Sequence, residues 1–154
     1  MSITAIKKVK KRCVMNRIIV SIFLVLTFLC SPVMSITAED WIKKADALWD
    51  GQKYTNPKKA IEYFNNAIKL KPDNAILYFD RGIAYGQLGR YKRSIEDYNK
   101  TIRLKPDLAQ AYINRAVFYL NHGNKKQGCL DAQKACKLRN CLLLDMAKTK
   151  GFCK

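Results

Sequence analysis

Cysteine is the residue type in this chain whose number and spacing could support chemistry. The chain has six cysteines, and four of them lie near its C-terminus, at positions 129, 136, 141 and 153. Such thiols could form disulfide bonds, bind zinc or act as redox groups. The intervals between them contain no Cys-x-x-Cys, which thioredoxin-type and haem-attachment sites need, and zinc favours paired short spacings. We therefore predict two disulfide bonds, with zinc binding or free thiols as the alternatives.

Helix geometry favours one of the three possible pairings. Cys129 and Cys136 are seven residues apart on one predicted helix, roughly 10 Å at 1.5 Å per residue, which is beyond the reach of a disulfide. If this helix and the next run antiparallel, Cys136 and Cys141 flank the turn between them. Cys129 and Cys153 then meet at the open end. We therefore predict the pairs Cys136–Cys141 and Cys129–Cys153.

No group of residues suggests a catalytic site. The only histidine, His122, precedes the helix-ending Gly123 and is explained as a solvated residue near a helix C-terminus. Glu96 and Asp97 lie among lysines and arginines, which indicates surface ion pairs. The sequence also lacks a glycine-rich phosphate loop and a Gly-x-Ser-x-Gly motif. We predict that the protein is not an enzyme and uses no cofactor or metal.

Residues 1–38 have the order of a secretory signal peptide. A basic stretch precedes an apolar run of 13 residues from Ile18, and small or turn-forming residues follow. That run is shorter than the about 20 residues that span a membrane comfortably. We predict export to the periplasm or cell envelope, with cleavage after Ala38 or, alternatively, after Ser35. An uncleaved membrane anchor and a translation start at Met15 are further alternatives.

The rest of the chain repeats itself at an interval of 34 residues. The segment 70–73 (LKPD) recurs at 104–107, and Tyr78, Tyr85 and Gly89 recur as Tyr112, Tyr119 and Gly123. Each interval holds two amphipathic stretches with helical spacing, joined by a turn that contains glycine. In the first stretch Gly82 leaves room between two tyrosines for the second helix to approach. In the second we expect Ile95, Tyr98 and Ile102 to form the inward stripe.

This pattern resembles the tetratricopeptide repeat family, whose unit is a helix-turn-helix of 34 residues. The resemblance covers residues 39–154 and is strongest to exported bacterial members with a cysteine-containing C-terminal helix. It implies an all-α fold of three repeats, at about 39–72, 73–106 and 107–140, in a short right-handed superhelix. Repeat arrays need an end that covers the last apolar face, and we expect a capping helix at about 141–150.

The first repeat departs from the family pattern in its turn. About three extra residues separate its two helices. Asn56 and Pro57 then make a good start for the second helix, with the asparagine as cap and proline at the first helical position. Trp41 occupies the position of the pattern's packing aromatic, so we assign it to the core rather than to a ligand site.

In this family the first helices of successive repeats line a concave groove that holds a peptide or helix of a partner protein. The resemblance assigns ten groove positions: Ile76, Phe79, Asp80, Ile83 and Gln87 in the second repeat, and Gln110, Ile113, Asn114, Val117 and Asn121 in the third. Chaperone-binding members hold a terminal carboxylate with Lys, Arg and Asn side chains. Asn114 matches one such position, whereas Asp80 would repel a carboxylate. We predict a monomeric, non-catalytic protein-interaction module.

The charge of the chain favours anionic partners outside the groove. The formal net charge is +17, and removal of 1–38 would leave +11, because that segment holds six of the 29 basic residues and none of the 12 acidic ones. Basic residues concentrate in the second helices of the repeats, at 91–104 and 125–138. Export argues against nucleic acid as a partner. The alternative function is therefore a structural adaptor that docks on an anionic envelope surface through its outer helices.

Overall fold

A computed structural model describes residues 36–154, and the predicted signal peptide lies, up to Ser35, outside the described residues. The helices are α1 (Ala38–Asp46), α2 (Pro57–Leu70), α3 (Ala75–Gln87), α4 (Tyr91–Leu104), α5 (Ala109–Asn121), α6 (Lys125–Lys137) and α7 (Leu142–Thr149). Within residues 36–154 the only β structure is an isolated bridge between Trp49 and Tyr54. The all-α prediction is confirmed. Of these seven helices, none is long and apolar enough to cross a bilayer.

Local sequence explains where the helices begin and end. Thr37 and Asp40 form a capping box at the start of α1, in which each side chain accepts a hydrogen bond from the other's backbone N–H. Asn56 caps α2, and Pro57 is its first residue. Gly89, after α3, has a φ of 68°, in the left-handed region that glycine adopts without a steric penalty. The chain can therefore reverse there and start α4.

The helices pack as successive antiparallel neighbours, with α1 on α2, α3 on α4, α5 on α6 and α7 on α6. Three inward positions of the second helix in each hairpin are fully buried: Ala60, Phe64 and Ala67 in α2, Ser94, Tyr98 and Thr101 in α4, and Gly128, Ala132 and Ala135 in α6. Large and small residues compensate between facing helices. A Cβ built on Gly82 would lie 2.8 Å from the ring of Tyr98, and the third repeat has Ala116 and Ala132 at these two positions.

A buried polar network recurs with the same 34-residue interval. The Arg81 guanidinium donates to both carboxylate oxygens of Asp97, at 2.8 and 2.7 Å, and to the side-chain oxygen of Asn65 at 2.7 Å. The corresponding residues of the next repeat, Asn99, Arg115 and Asp131, make the same three contacts at 2.5–2.8 Å. Each network links three consecutive helices, and both aspartates are buried.

This network corrects two expectations from the sequence. Asp97 is not part of a surface ion pair, because it is 5% exposed and bonded to Arg81 from the preceding helix. The inward face of α4 is Ser94, Asp97, Tyr98 and Thr101, whereas Ile95 and Ile102 are only half-buried. The polar members are satisfied: the Ser94 hydroxyl donates to the Gly82 carbonyl at 2.7 Å. A buried polar side chain without such a partner would be destabilising.

The C-terminal helix α7 packs against α6 and is linked to it by cysteine pairs at both ends. Cys129 is bonded to Cys153, with Cα atoms 5.6 Å apart, and Cys136 is bonded to Cys141, with Cα atoms 3.9 Å apart. These are the pairs that antiparallel geometry favours. Leu143, Leu144 and Ala147 of α7 form the C-terminal core cluster together with Ala116, Leu120 and Ala132. The helix thereby covers the apolar face that α5 and α6 would otherwise leave open.

Candidate functional site: two adjoining concavities along α3

Two concavities lie side by side along α3. The first, of about 300 Å³, is lined by Asp46, Trp49, Tyr54, Phe79, Asp80 and Ile83. The second, of about 350 Å³, is lined by Ile83, Gly86, Gln87, Tyr98, Asn114, Val117 and Phe118. Ile83 lines both, so the two concavities adjoin at this side chain. The first is the more enclosed because the connection between α1 and α2 forms one of its walls.

Six of the ten groove positions expected from the sequence line these concavities. Phe79, Asp80 and Ile83 line the first, and Ile83 again lines the second with Gln87, Asn114 and Val117. The other four lie elsewhere. Ile76 and Asn121 are exposed beyond the ends of the two concavities, and Gln110 is exposed and donates to the Asn114 side chain at 2.9 Å. Ile113 packs against the C-terminal core cluster, to which α7 contributes.

Sequence reasoning did not assign the other lining residues of these concavities. Asp46, Trp49 and Tyr54 belong to the end of α1 and to the connection after it, where a family pattern gives no register. Tyr98 was assigned to packing alone and Phe118 was given no role, yet both line the second concavity. Trp41 lies half-buried against Tyr63, with ring centroids 5.8 Å apart, as its assignment to the core requires.

The first concavity holds two carboxyl groups, Asp46 and Asp80, without a cationic partner among residues 36–154. Burial and the nearby carboxylate of Asp46 raise the pKa of Asp80 to about 7 from its ordinary 3.8. Partial burial also raises the pKa of Asp46. Among residues 36–154 the Asp80 carboxylate has neither a hydrogen-bond donor nor an ion-pair partner, since the three ion pairs in that range join other side chains.

The outer surfaces of α4 and α6 are basic. Their exposed charged side chains are Lys92, Arg93, Glu96, Arg103, Lys125, Lys126, Lys134 and Lys137. Asp97 and Asp131 do not offset these cations at the surface, because each is buried against an arginine from the preceding helix. The positive surface is therefore stronger than a count of charges along each helix indicates.

Neither the histidine nor the other titratable groups form a catalytic arrangement in the described part of the chain. His122 is exposed at the end of α5, where its Nδ1 lies 2.7 Å from the Phe118 carbonyl and its ring packs on Tyr91. No cluster of three or more His, Cys, Asp or Glu side chains between residues 36 and 154 could hold a metal ion. The four C-terminal cysteines are bonded in pairs.

Comparison with known proteins identifies the family. Residues 54–124 match the family described as Tetratricopeptide repeat. The Arabidopsis OM64 TPR domain is similar in structure, with a TM-score of 0.66 at 23% identity over 74% of this chain and 93% of that domain. Residues 54–124 of this chain therefore belong to the tetratricopeptide repeat family. The family consists typically of non-catalytic scaffolds that bind other proteins, which agrees with a concave surface between repeats.

Two further solved structures are similar to this repeat protein. The crystal structure of MamA gives a TM-score of 0.62 at 26% identity, and the match covers 67% of this chain and 58% of MamA. The chain thus spans less than two thirds of MamA. The first TPR domain of Spaghetti (RPAP3), solved with the HSP90 peptide SRMEEVD, gives a TM-score of 0.66 at 18% identity over 76% of this chain and 92% of that domain. A comparison with curated protein sequences finds no match.

Proposed function

We propose that this repeat protein is an exported, non-catalytic interaction module that binds an extended peptide of a partner protein along α3 and α5. The observation that carries the proposal is the pair of adjoining concavities, which share Ile83 and lie along α3 between successive repeats. The RPAP3 domain of the same fold holds a peptide. That peptide is acidic, whereas the partner proposed here must avoid placing a carboxylate beside Asp80.

Export is part of the proposal and rests on two features. The N-terminal segment has the order of a signal peptide, and disulfides such as the two C-terminal pairs are typical of proteins in an oxidising compartment. The capping box of α1 favours cleavage after Ser35 over cleavage after Ala38, the site preferred from the sequence. Cleavage after Ala38 would remove Thr37, which caps the helix, and Ala38 itself, which is buried. Loss of such a cap costs about 1 kcal/mol.

Selection from a random peptide library tests the groove. The protein would be expressed from its full sequence in a host with an oxidising export compartment and used as the target. Val117→Glu places a charge in the second concavity, and Leu142→Glu places the same charge on α7 at a residue that is 69% exposed and lines neither concavity. We expect selected peptides to lose about tenfold or more in affinity with the first variant and to keep their affinity with the second. Selected peptides that bind the Val117→Glu variant as tightly as the wild type would refute a groove along α3 and α5.

A second candidate function is docking on an anionic envelope surface through α4 and α6. The specific observation in its favour is the burial of Asp97 and Asp131, which leaves one exposed acid, Glu96, among the cations of these two helices. Binding to vesicles that contain anionic lipid, measured from 0.05 to 0.5 M salt, separates the two functions. Surface docking should weaken steeply because exposed charges are screened over about 10 Å at 0.1 M salt. Peptide binding in the second concavity, whose lining has no charged residue, should change little with salt.

A further inference from the structure

The first concavity is a pocket with one wall that lies outside the 34-residue repeat pattern. Three of its lining residues, Phe79, Asp80 and Ile83, come from α3, as a repeat register predicts. The other side is formed by the end of α1 and by the connection from α1 to α2. That connection is the part of the chain that departs from the 34-residue repeat, so the pocket is not a general property of the repeat fold.

Hydrogen bonds and ring contacts hold this connection in place. Trp49 and Tyr54 form an antiparallel bridge, and their ring centroids are 4.9 Å apart. The Asp50 carboxylate accepts hydrogen bonds from the backbone N–H groups of the second and third residues after it, at 2.9 and 2.8 Å. The Tyr54 N–H donates to the side-chain oxygen of Gln87 on α3 at 3.2 Å. The aromatic wall is therefore preorganised, which lowers the entropy lost on binding.

The pocket has negative charge and no cation of its own. Asp80 lies half-buried on its wall, and Asp46 lies at its open rim. The neighbouring Arg81 cannot compensate them, because its guanidinium is engaged by Asp97 on the other side of α3. Within residues 36–154 no other Lys or Arg lies within ion-pair distance of either carboxylate. A positive group in this pocket would remove the repulsion between the two carboxylates.

The chemistry of the lining identifies the kind of cation. Aromatic faces attract ammonium and guanidinium groups, and Trp49, Tyr54 and Phe79 provide three such rings. Carboxylates supply the charged hydrogen-bond acceptors that these groups need. A Ca²⁺ or Mg²⁺ ion fits poorly, because it needs about six oxygen ligands and the pocket offers two carboxylates. The volume of about 300 Å³ also exceeds what a bare ion would fill.

We propose that the pocket formed by Asp46, Trp49, Tyr54, Phe79 and Asp80 binds a lysine or arginine side chain of the partner peptide. The inference rests on the proposed function, since it assigns one subsite of the groove. This subsite would prefer a positive group, whereas a site that clamps a terminal carboxylate prefers a negative one. General attraction cannot account for such binding, because the protein as a whole is strongly positive and repels cations at long range.

Small peptide probes test the subsite without knowledge of the partner. The probes are acetylated, amidated pentapeptides of glycine with a central arginine, lysine, citrulline or glutamate, where citrulline is the neutral counterpart of arginine. The indole N–H signal of Trp49, assigned with a Trp41→Phe variant, reports occupancy by NMR at pH 8 and 0.15 M salt. We expect saturable shifts with the arginine and lysine probes. The citrulline and glutamate probes should produce none.

Matched substitutions decide whether the two carboxylates are responsible. Asp80→Asn should weaken binding of the arginine probe by about tenfold or more, the loss of one charge-assisted hydrogen bond. Asp73→Asn removes an exposed carboxylate from the turn before α3, outside the pocket, and should leave binding unchanged. Equal binding of arginine and citrulline, or no effect of Asp80→Asn, would overturn the proposal.

The experiments can refute the proposed groove and the proposed cationic subsite independently of each other. Selected library peptides that depend on Val117 but bind equally well with and without a lysine or arginine would retain the groove and overturn the cationic subsite. An arginine probe that depends on Asp80 while no peptide depends on Val117 would retain the subsite and refute the groove. These outcomes differ because Val117 lines only the second concavity and Asp80 lines only the first.

Discussion

The carboxylate of Asp80 should make the protein less stable as pH rises, and Asp80→Asn should remove that effect. The groups that face it are Asp46 at the end of α1, Tyr54 in the connection and Tyr98 on α4, none of which carries a positive charge. Ionisation of Asp80 in the folded protein is therefore opposed by burial and by Asp46. Asparagine has nearly the same shape and cannot ionise.

The size and pH range of the effect follow from the two pKa values of Asp80. Its pKa is about 7 in the folded protein and near 3.8 in the unfolded chain. Below about pH 4 the carboxyl is protonated in both states and costs nothing. Between these values the unfolded chain releases the proton while the folded protein retains it, so the free energy of unfolding falls by about 1.4 kcal/mol per pH unit. Above pH 7 the total loss reaches about 4 kcal/mol at most.

Urea unfolding of the wild type and of Asp80→Asn at pH 4, 5.5, 7 and 8 measures this loss. We expect the variant to equal the wild type at pH 4 and to exceed it progressively, by about 3–4 kcal/mol at pH 8. Asp73→Asn, which changes an exposed carboxyl, should show no such trend. A difference that stays constant with pH, or a variant less stable at pH 8, would refute the argument that Asp80 lacks a cationic partner.

Three further predictions concern stability and processing. Arg81→Met should destabilise the protein by about 3–5 kcal/mol in chemical unfolding, because it leaves the buried charge of Asp97 without a partner. The control variant Arg93→Met changes an exposed position on α4 and should cause a smaller loss. Replacing Cys129 and Cys153 with serine should lower the free energy of unfolding by about 3 kcal/mol, and replacing Cys136 and Cys141 should lower it by about 2 kcal/mol. The first loss is larger because the sequence separation is 24 rather than 5 residues. Equal losses would contradict this loop-length argument. If the chain is exported as proposed, the intact mass of the mature protein should correspond to a start at Ile36. A start at Glu39 would contradict the capping argument.

The repeat interval and the fold class could be predicted because they depend on residues that recur. Glycine at position 82 and an aromatic at 98 are complementary in size, and that relation can be seen in the sequence before any coordinates exist. The nested cysteine pairs followed from one assumption, that α6 and α7 run antiparallel. Such features require only helix geometry and a single register.

The orientation of polar residues could not be predicted from one helix considered alone. Asp97 was assigned to the surface because its neighbours on α4 are charged, and its partner Arg81 is 16 residues earlier on another helix. The signal that could have found it is the 34-residue interval itself. The set Asn65, Arg81 and Asp97 recurs as Asn99, Arg115 and Asp131, which is unexpected of solvated residues.

The candidate site is formed largely by residues that differ from one repeat to the next. Asp80 and Asn114 occupy the same register, yet Asn114 is integrated in a hydrogen-bond chain with Gln110 and Tyr98, whereas Asp80 faces a pocket without a donor from the described residues. Trp49 and Tyr54 belong to a connection that the other repeats lack. The residues that recur between repeats hold the helices together. The Asp80 carboxylate does not recur and destabilises the fold, so its presence is explained by function rather than by packing. Binding of a cation explains it, because the ligand would supply the charge that the protein omits. If Asp80→Asn raises the free energy of unfolding and abolishes binding of the arginine probe, the Asp80 carboxylate lowers stability in exchange for ligand binding.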